Sequence, residues 1–119
     1  MQTVIFKDLP KVSANQIYAG KHWRYRQTLK KHYLLATHNT IKKLTPAKSK
    51  VDLSFTFNFT GNPLDSSNTF YMAKLIEDCL VHYKIIVDDE IKFVGEIACE
   101  SHKTIDSFDS CELTMTERN

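Results

Sequence analysis

Val51-Asp52-Leu53-Ser54-Phe55-Thr56-Phe57-Asn58-Phe59 alternates an apolar side chain with a polar one at every step. Successive side chains of a strand point to opposite faces, so this stretch reads as a strand with one face on a core and the other on water. Gly61-Asn62-Pro63 breaks it. Upstream, residues 23–44 set Leu29, Tyr33, Ala36, Thr40 and Leu44 at spacings of three or four, the stripe of a long amphipathic helix. Thr45-Pro46 ends that helix, because proline cannot continue it and disfavours helix just before itself. Ahead of it, residues 2–7 alternate around Val4 and Phe6 as a first strand, and residues 8–21, with Pro10, Ser13, Asn15 and Gly20, read as a loop. Downstream, a second helix is predicted from about Asn68 to about Tyr83, its apolar face made of Met72, Leu75, Ile76, Cys79, Leu80 and Tyr83. Residues 91–100 and 107–115 read as two further strands joined by a polar turn over 102–106, and residues 116–119 as a frayed end. The predicted order is β-α-β-α-β-β. That is an α/β domain of the α+β kind, a mixed sheet of about four strands with two helices packed on it.

At 119 residues the chain is expected to form one domain over 1–119, long enough to bury a core without staples. No apolar run approaches the roughly 20 residues that cross a bilayer, and MQTVIFKDLP lacks the basic-then-apolar layout of a secretory leader. The expectation is therefore no membrane and a cytoplasmic address. Cys79, Cys99 and Cys111 are odd in number and widely spaced, which suits small buried thiols in a reducing compartment better than a disulfide framework or a metal site.

Charge is segregated along the chain. Residues 9–51 hold ten Lys or Arg and no Asp or Glu, whereas residues 52–119 hold five basic and thirteen acidic residues. Two readings follow: a surface that faces a polyanion, joined to an acidic cluster, or a solvated helix face whose charges pair with the acidic half. Arg24, Arg26, Lys30, Lys31, Lys42 and Lys43 make up that helix face. In His22-Trp23-Arg24-Tyr25 the expectation is that Trp23 packs on the sheet and only the arginines face out, although such a junction also suits stacking on a base.

Several chemistries are excluded by spacing. The glycines are Gly20, Gly61 and Gly95, so there is no glycine-rich phosphate loop. The five histidines have no HExxH spacing, and no Gly-x-Ser-x-Gly or Cys–His signature supports a nucleophile mechanism.

Residues 65–89 carry carboxylates at both ends of the second predicted helix. The order is Asp65-Ser66-Ser67-Asn68, then Lys74 and Asp78, then Asp88-Asp89-Glu90. A cation such as Mg²⁺ takes oxygen ligands and is commonly held by one or two carboxylates together with substrate phosphates. Each piece also has a plain structural reading. Asp65 suits a turn or cap, and Asp88-Asp89 a strand-entry turn. Lys74 and Asp78, four apart, suit an exposed helix pair worth about 0.3–0.5 kcal/mol. A helix over 68–83 is about 24 Å long at roughly 1.5 Å per residue. Asp65 and Asp88–Asp89 therefore meet only if the chain folds back or two subunits contribute.

The same residues resemble the core of the RusA-type Holliday-junction resolvases, a family often found in phages and prophages. Those proteins carry Asp-x-Asp-Asn, a lysine, Asp-x-Leu, and an Asp-Asp pair opening the next strand. Asp65 matches the first aspartate, Asn68 the asparagine, Lys74 the lysine, Asp78-Cys79-Leu80 the Asp-x-Leu, and Asp88-Asp89 the pair. Ser13-Ala14-Asn15 is similar to the loop those proteins carry after their first strand. Ser67 stands where the family has its second aspartate, and Lys74 lies three residues further from the asparagine than in the family.

The resemblance implies a homodimeric endodeoxyribonuclease that cuts four-way DNA junctions in recombination and repair with Mg²⁺, or Mn²⁺ in its place. It implies Asp65, Asp88 and Asp89 as metal ligands and Asp65, Lys74 and Asp89 as catalytic residues, with Lys74 facing the scissile phosphate. Lys21, Arg24, Arg26, Lys30, Lys31 and Asn15 would contact DNA. The alternative is a non-catalytic DNA-binding or protein-interaction module on the same scaffold, its cation site reduced at Ser67.

Overall fold

The computed structural model describes residues 1–18 and 23–118, without the side chain of Tyr18. Its elements are β1 (Gln2–Lys7), α1 (Ala14–Tyr18), α2 (Trp23–Ile41), β2 (Val51–Phe59), a 3₁₀ turn (Ser66–Thr69), α3 (Phe70–His82), β3 (Val94–Lys103) and β4 (Ser110–Glu117). One four-stranded sheet runs in the order β1-β4-β2-β3. β2 pairs with β3 in parallel and with β4 antiparallel, and β1 pairs antiparallel with β4. The sheet is therefore mixed, and α3 is the crossover that a parallel β2–β3 pair requires. The α+β expectation holds.

β2 behaves as its alternation requires. Val51, Leu53, Phe55, Phe57 and Phe59 are buried, and the Phe57 ring stacks between Phe55 and Phe59 with centroids 6.2 Å away on each side. Ser54 is exposed on the opposite face, where Asp52, Thr56 and Asn58 are half-buried by their neighbours. Cys111, Leu113 and Met115 of β4 and Val4 and Phe6 of β1 complete the inner face.

Four details depart from the expectations. The loop over 8–21 contains α1, begun by a capping box: Asn15 N–H donates to Ser13 Oγ at 3.1 Å, and Ser13 N–H donates to Gln16 Oε1 at 3.3 Å. The stripe of α2 is Leu29, Tyr33, Thr37 and Ile41, not one through Ala36 and Thr40. A polar Thr37 is tolerated inside because its hydroxyl donates to Tyr33 C=O at 2.6 Å, while Tyr33 OH donates to Pro10 C=O at 2.6 Å. β3 starts at Val94 because Phe93 and Val94 N–H both turn back to Glu90 C=O at 2.9 Å. It then extends through His102 and Lys103, since these sit opposite Asn58 and Phe59 of β2. The terminal stretch is strand as far as Glu117, with Arg118 N–H donating to Lys50 C=O at 2.7 Å.

Among the described residues no helix is long and apolar enough to cross a membrane. All three cysteines are free, with Cys79 and Cys111 buried and Cys99 half-buried. Burial pushes each thiol above its usual range, so none has the character of a thiolate nucleophile.

Candidate metal centre and basic groove

The site is built by the middle of α3 and the turn that follows it. Asp65 opens the 3₁₀ turn, its C=O accepting Asn68 N–H at 2.8 Å, and that turn runs directly into α3 at Phe70. One face of α3 buries Met72, Ala73, Leu75, Ile76, Cys79 and Leu80. At the other end Lys84 N–H donates to Val81 C=O at 3.0 Å and Ile85 N–H to Leu80 C=O at 2.9 Å, with Lys84 at φ 63°. This is a Schellman stop, which reverses the chain through one left-handed residue. Ile85 and Ile86 then drop into the core, and Ala47 N–H donates to Ile85 C=O at 2.8 Å. The turn after them carries Asp89 back beside the first half of α3.

Four charged side chains meet there. Lys74 Nζ lies 3.3 Å from Glu77 Oε1 and 3.2 Å from Asp78 Oδ1, and donates to Asp89 Oδ2. One oxygen from each of Glu77, Asp78 and Asp89 falls within 4.8 Å of the others. Glu77 is the buried member, its side chain only 4% exposed against 36% for Asp78 and 40% for Asp89. Its Oε2 has no hydrogen-bond partner. Buried carboxylate oxygens are ordinarily satisfied, so an orphan of this kind asks for an explanation.

The electrostatics follow from the packing. Burial pushes the Glu77 carboxyl above its ordinary value, Lys74 pulls it back, and the charges of Asp89 and Asp78 add to the rise. Burial acts to lower the Lys74 ammonium, but the Asp89 hydrogen bond and the charges of Asp78 and Glu77 outweigh it and hold the ammonium above its usual range. The Lys74 hydrogen bond holds Asp89 below the carboxylate range. Three carboxylates around one ammonium leave an excess of negative charge, a donor set of hard oxygens that suits Mg²⁺ or Mn²⁺.

Beside the cluster, α2 and α3 enclose a groove of about 360 Å³ lined by Trp23, Arg26, Gln27, Lys30, Tyr71, Lys74, Leu75 and Asp78. Lys74 and Asp78 thus belong to both the groove and the carboxylate cluster. Arg26, Lys30, Lys31, Lys42 and Lys43 make no ion pair with any described residue. Of the two charge readings, direct pairing of this helix face with the acidic half is not seen for these five. Trp23 does not pack on the sheet as expected: it is 57% exposed at the start of α2, with the Arg24 guanidinium 5.8 Å from its ring centroid.

The predicted residues divide as follows. Lys74 and Asp89 come together within one chain. Asp88 is not among the three converging carboxylates; its side chain acts on the neighbouring Asp89 carboxyl, and its Oδ1 accepts Asp89 N–H at 2.7 Å. Asp65 is exposed, makes no side-chain cap bond and is not among the converging carboxylates. Arg24, Arg26, Lys30 and Lys31 are exposed on α2 and Asn15 on α1, while Lys21 lies outside the described residues. Glu77 and Asp78 were not predicted as ligands. The signal for both was their spacing, three and four residues after Lys74, which puts them on the lysine's helix face. No protein-family model matches the chain, and no curated protein matches it.

Proposed function

We propose that this chain is a metal-dependent, structure-selective endodeoxyribonuclease of branched DNA, of the RusA type in its chemistry. The observation that carries the reading is the convergence of Lys74, Glu77, Asp78 and Asp89 beside a groove whose Arg26 and Lys30 have no acidic partner. Glu77, Asp78 and Asp89 would hold Mg²⁺ or Mn²⁺. When bound, such an ion lowers the pKa of water and stabilises charge on a phosphoryl oxygen. The chain's own part is positional. α2 supplies phosphate contacts that are independent of base sequence. Lys74 faces from the carboxylates into the groove, where its ammonium meets the charge that develops on a scissile phosphate. Asp88 keeps the Asp89 backbone in place. A four-way junction offers paired strands to two such sites, so we assign a homodimer, working in the cytosol where the three free thiols stay reduced.

The test is cleavage of a synthetic four-way junction over a titration of Mg²⁺ and Mn²⁺. Nicking that requires the ion and disappears in Asp89→Asn supports the reading; intact junction at every ion concentration refutes it. One observation favours a second reading, a DNA-binding module without catalysis. Lys74 already neutralises part of the carboxylate cluster, and Asp65 stands outside it. That reading expects junction affinity that falls steeply with salt and no cleavage with any ion.

A further inference from the structure

We propose that Lys74 is a displaceable occupant of the cation site, which a nucleic-acid phosphodiester entering the α2–α3 groove draws off the carboxylates, so that DNA backbone and divalent cation bind cooperatively. This rests on the reading of Glu77, Asp78 and Asp89 as a cation site.

An ammonium has three N–H donors. Lys74 donates to Glu77 Oε1 and Asp89 Oδ2, and its Nζ stands 3.2 Å from Asp78 Oδ1 as an ion pair. Neither bond reaches Glu77 Oε2, which stays buried and without a hydrogen-bond partner. A divalent ion with six or more coordination positions has room for a fourth oxygen and carries the charge that three carboxylates call for. The ammonium and the ion need the same oxygens, and two cations in one small cluster repel, so one excludes the other. Lys74 also has somewhere to go. Its side chain is 46% exposed and lines the groove with Arg26 and Lys30. A flexible stem lets the head move between the two positions. A phosphodiester held by Arg26 and Lys30 gives the ammonium a negative partner outside the cluster. Linkage then requires that the ion raise DNA affinity by the same factor that DNA raises ion affinity.

The experiment is Mn²⁺ binding, read from the electron paramagnetic resonance of the free ion, with and without a short single-stranded oligothymidylate. Wild type is expected to bind Mn²⁺ weakly alone and about tenfold or more tightly with the oligonucleotide. Lys74→Met is expected to bind about tenfold or more tightly without DNA and to gain little from it. The Arg26→Ala/Lys30→Ala double variant is expected to lose the enhancement. Equal basal affinity in wild type and Lys74→Met overturns displacement, as does equal enhancement in both, which would mean that phosphate simply ligates the ion. If neither protein binds Mn²⁺ even with DNA, the cation-site reading itself fails. Should Lys74→Met not fold, Lys74→Gln, which removes the charge and keeps a polar head on the stem, takes its place with the same two outcomes.

Discussion

Lys74 donates to Asp89, fifteen residues further along the chain and beyond the end of α3. A continuous helix would carry Asp89 about 22 Å away, at roughly 1.5 Å per residue. The Schellman stop at Lys84 and the burial of Ile85 and Ile86 reverse the chain, and the acidic turn comes back within one protomer.

The carboxylates are expected to differ in their effect on cation binding. Glu77→Gln and Asp78→Asn should each weaken Mn²⁺ binding by at least about tenfold, the scale on which metal sites respond even to the loss of supporting partners. Asp65→Asn should leave it within about twofold, because its carboxylate is not in the converging set. Calorimetric titration of the three variants checks the ranking.

Arg26 and Lys30 are expected to act through phosphate charge alone. The Arg26→Ala/Lys30→Ala double variant should weaken junction binding for every base sequence and lower the slope of log affinity against log salt by about 2. A salt series by fluorescence anisotropy measures it; an unchanged slope would remove both residues from the interface.

The Asp52–Arg118 pair is expected to show up as acid sensitivity. Arg118 Nη2 donates to Asp52 Oδ1 at 2.6 Å, and Glu96 N–H donates to the same oxygen at 2.7 Å. The Arg118 bond is the larger cause and the Glu96 bond the next, and together they hold the carboxyl below its usual range. The folded pKa is thus below the unfolded one. The stabilisation is in place above the ordinary carboxylate value and is lost as pH falls through the folded value. Asp52→Asn should therefore lower the melting temperature most near neutral pH, with the gap to wild type closing as the pH falls through the lowered folded value. Gly95→Ala should reproduce part of this loss, since a Cβ there would stand 2.6 Å from Asp52 Oδ1.

Lys84 holds a left-handed conformation that favours glycine. Lys84→Gly should stabilise the protein by about 0.5–1 kcal/mol, seen as a higher urea midpoint with an unchanged m-value. A β-branched residue at the same position should destabilise it and loosen the turn that delivers Asp89.

The sequence by itself determined β2, the overall run of strands and helices, and the basic face of α2, and placed the end of the long helix before Pro46, although α2 stops earlier, at Ile41. Each is a local property. Side-chain period follows from backbone geometry, and proline acts on its own neighbours. The capping box Ser13-x-x-Gln16 was equally local, and it was readable although the loop reading passed over it. Tertiary structure decided the rest. β3 begins and ends where β2 offers partners, a matter of pairing across the chain. Glu77 is a ligand candidate because α3 turns its side chain inward beneath Lys74, and a glutamate's burial is not written in its spacing. Asp89, and neither Asp65 nor Asp88, reaches the cluster because one left-handed residue and two buried isoleucines set where the chain returns. That choice depends on what the core accepts, and no window of sequence contains it.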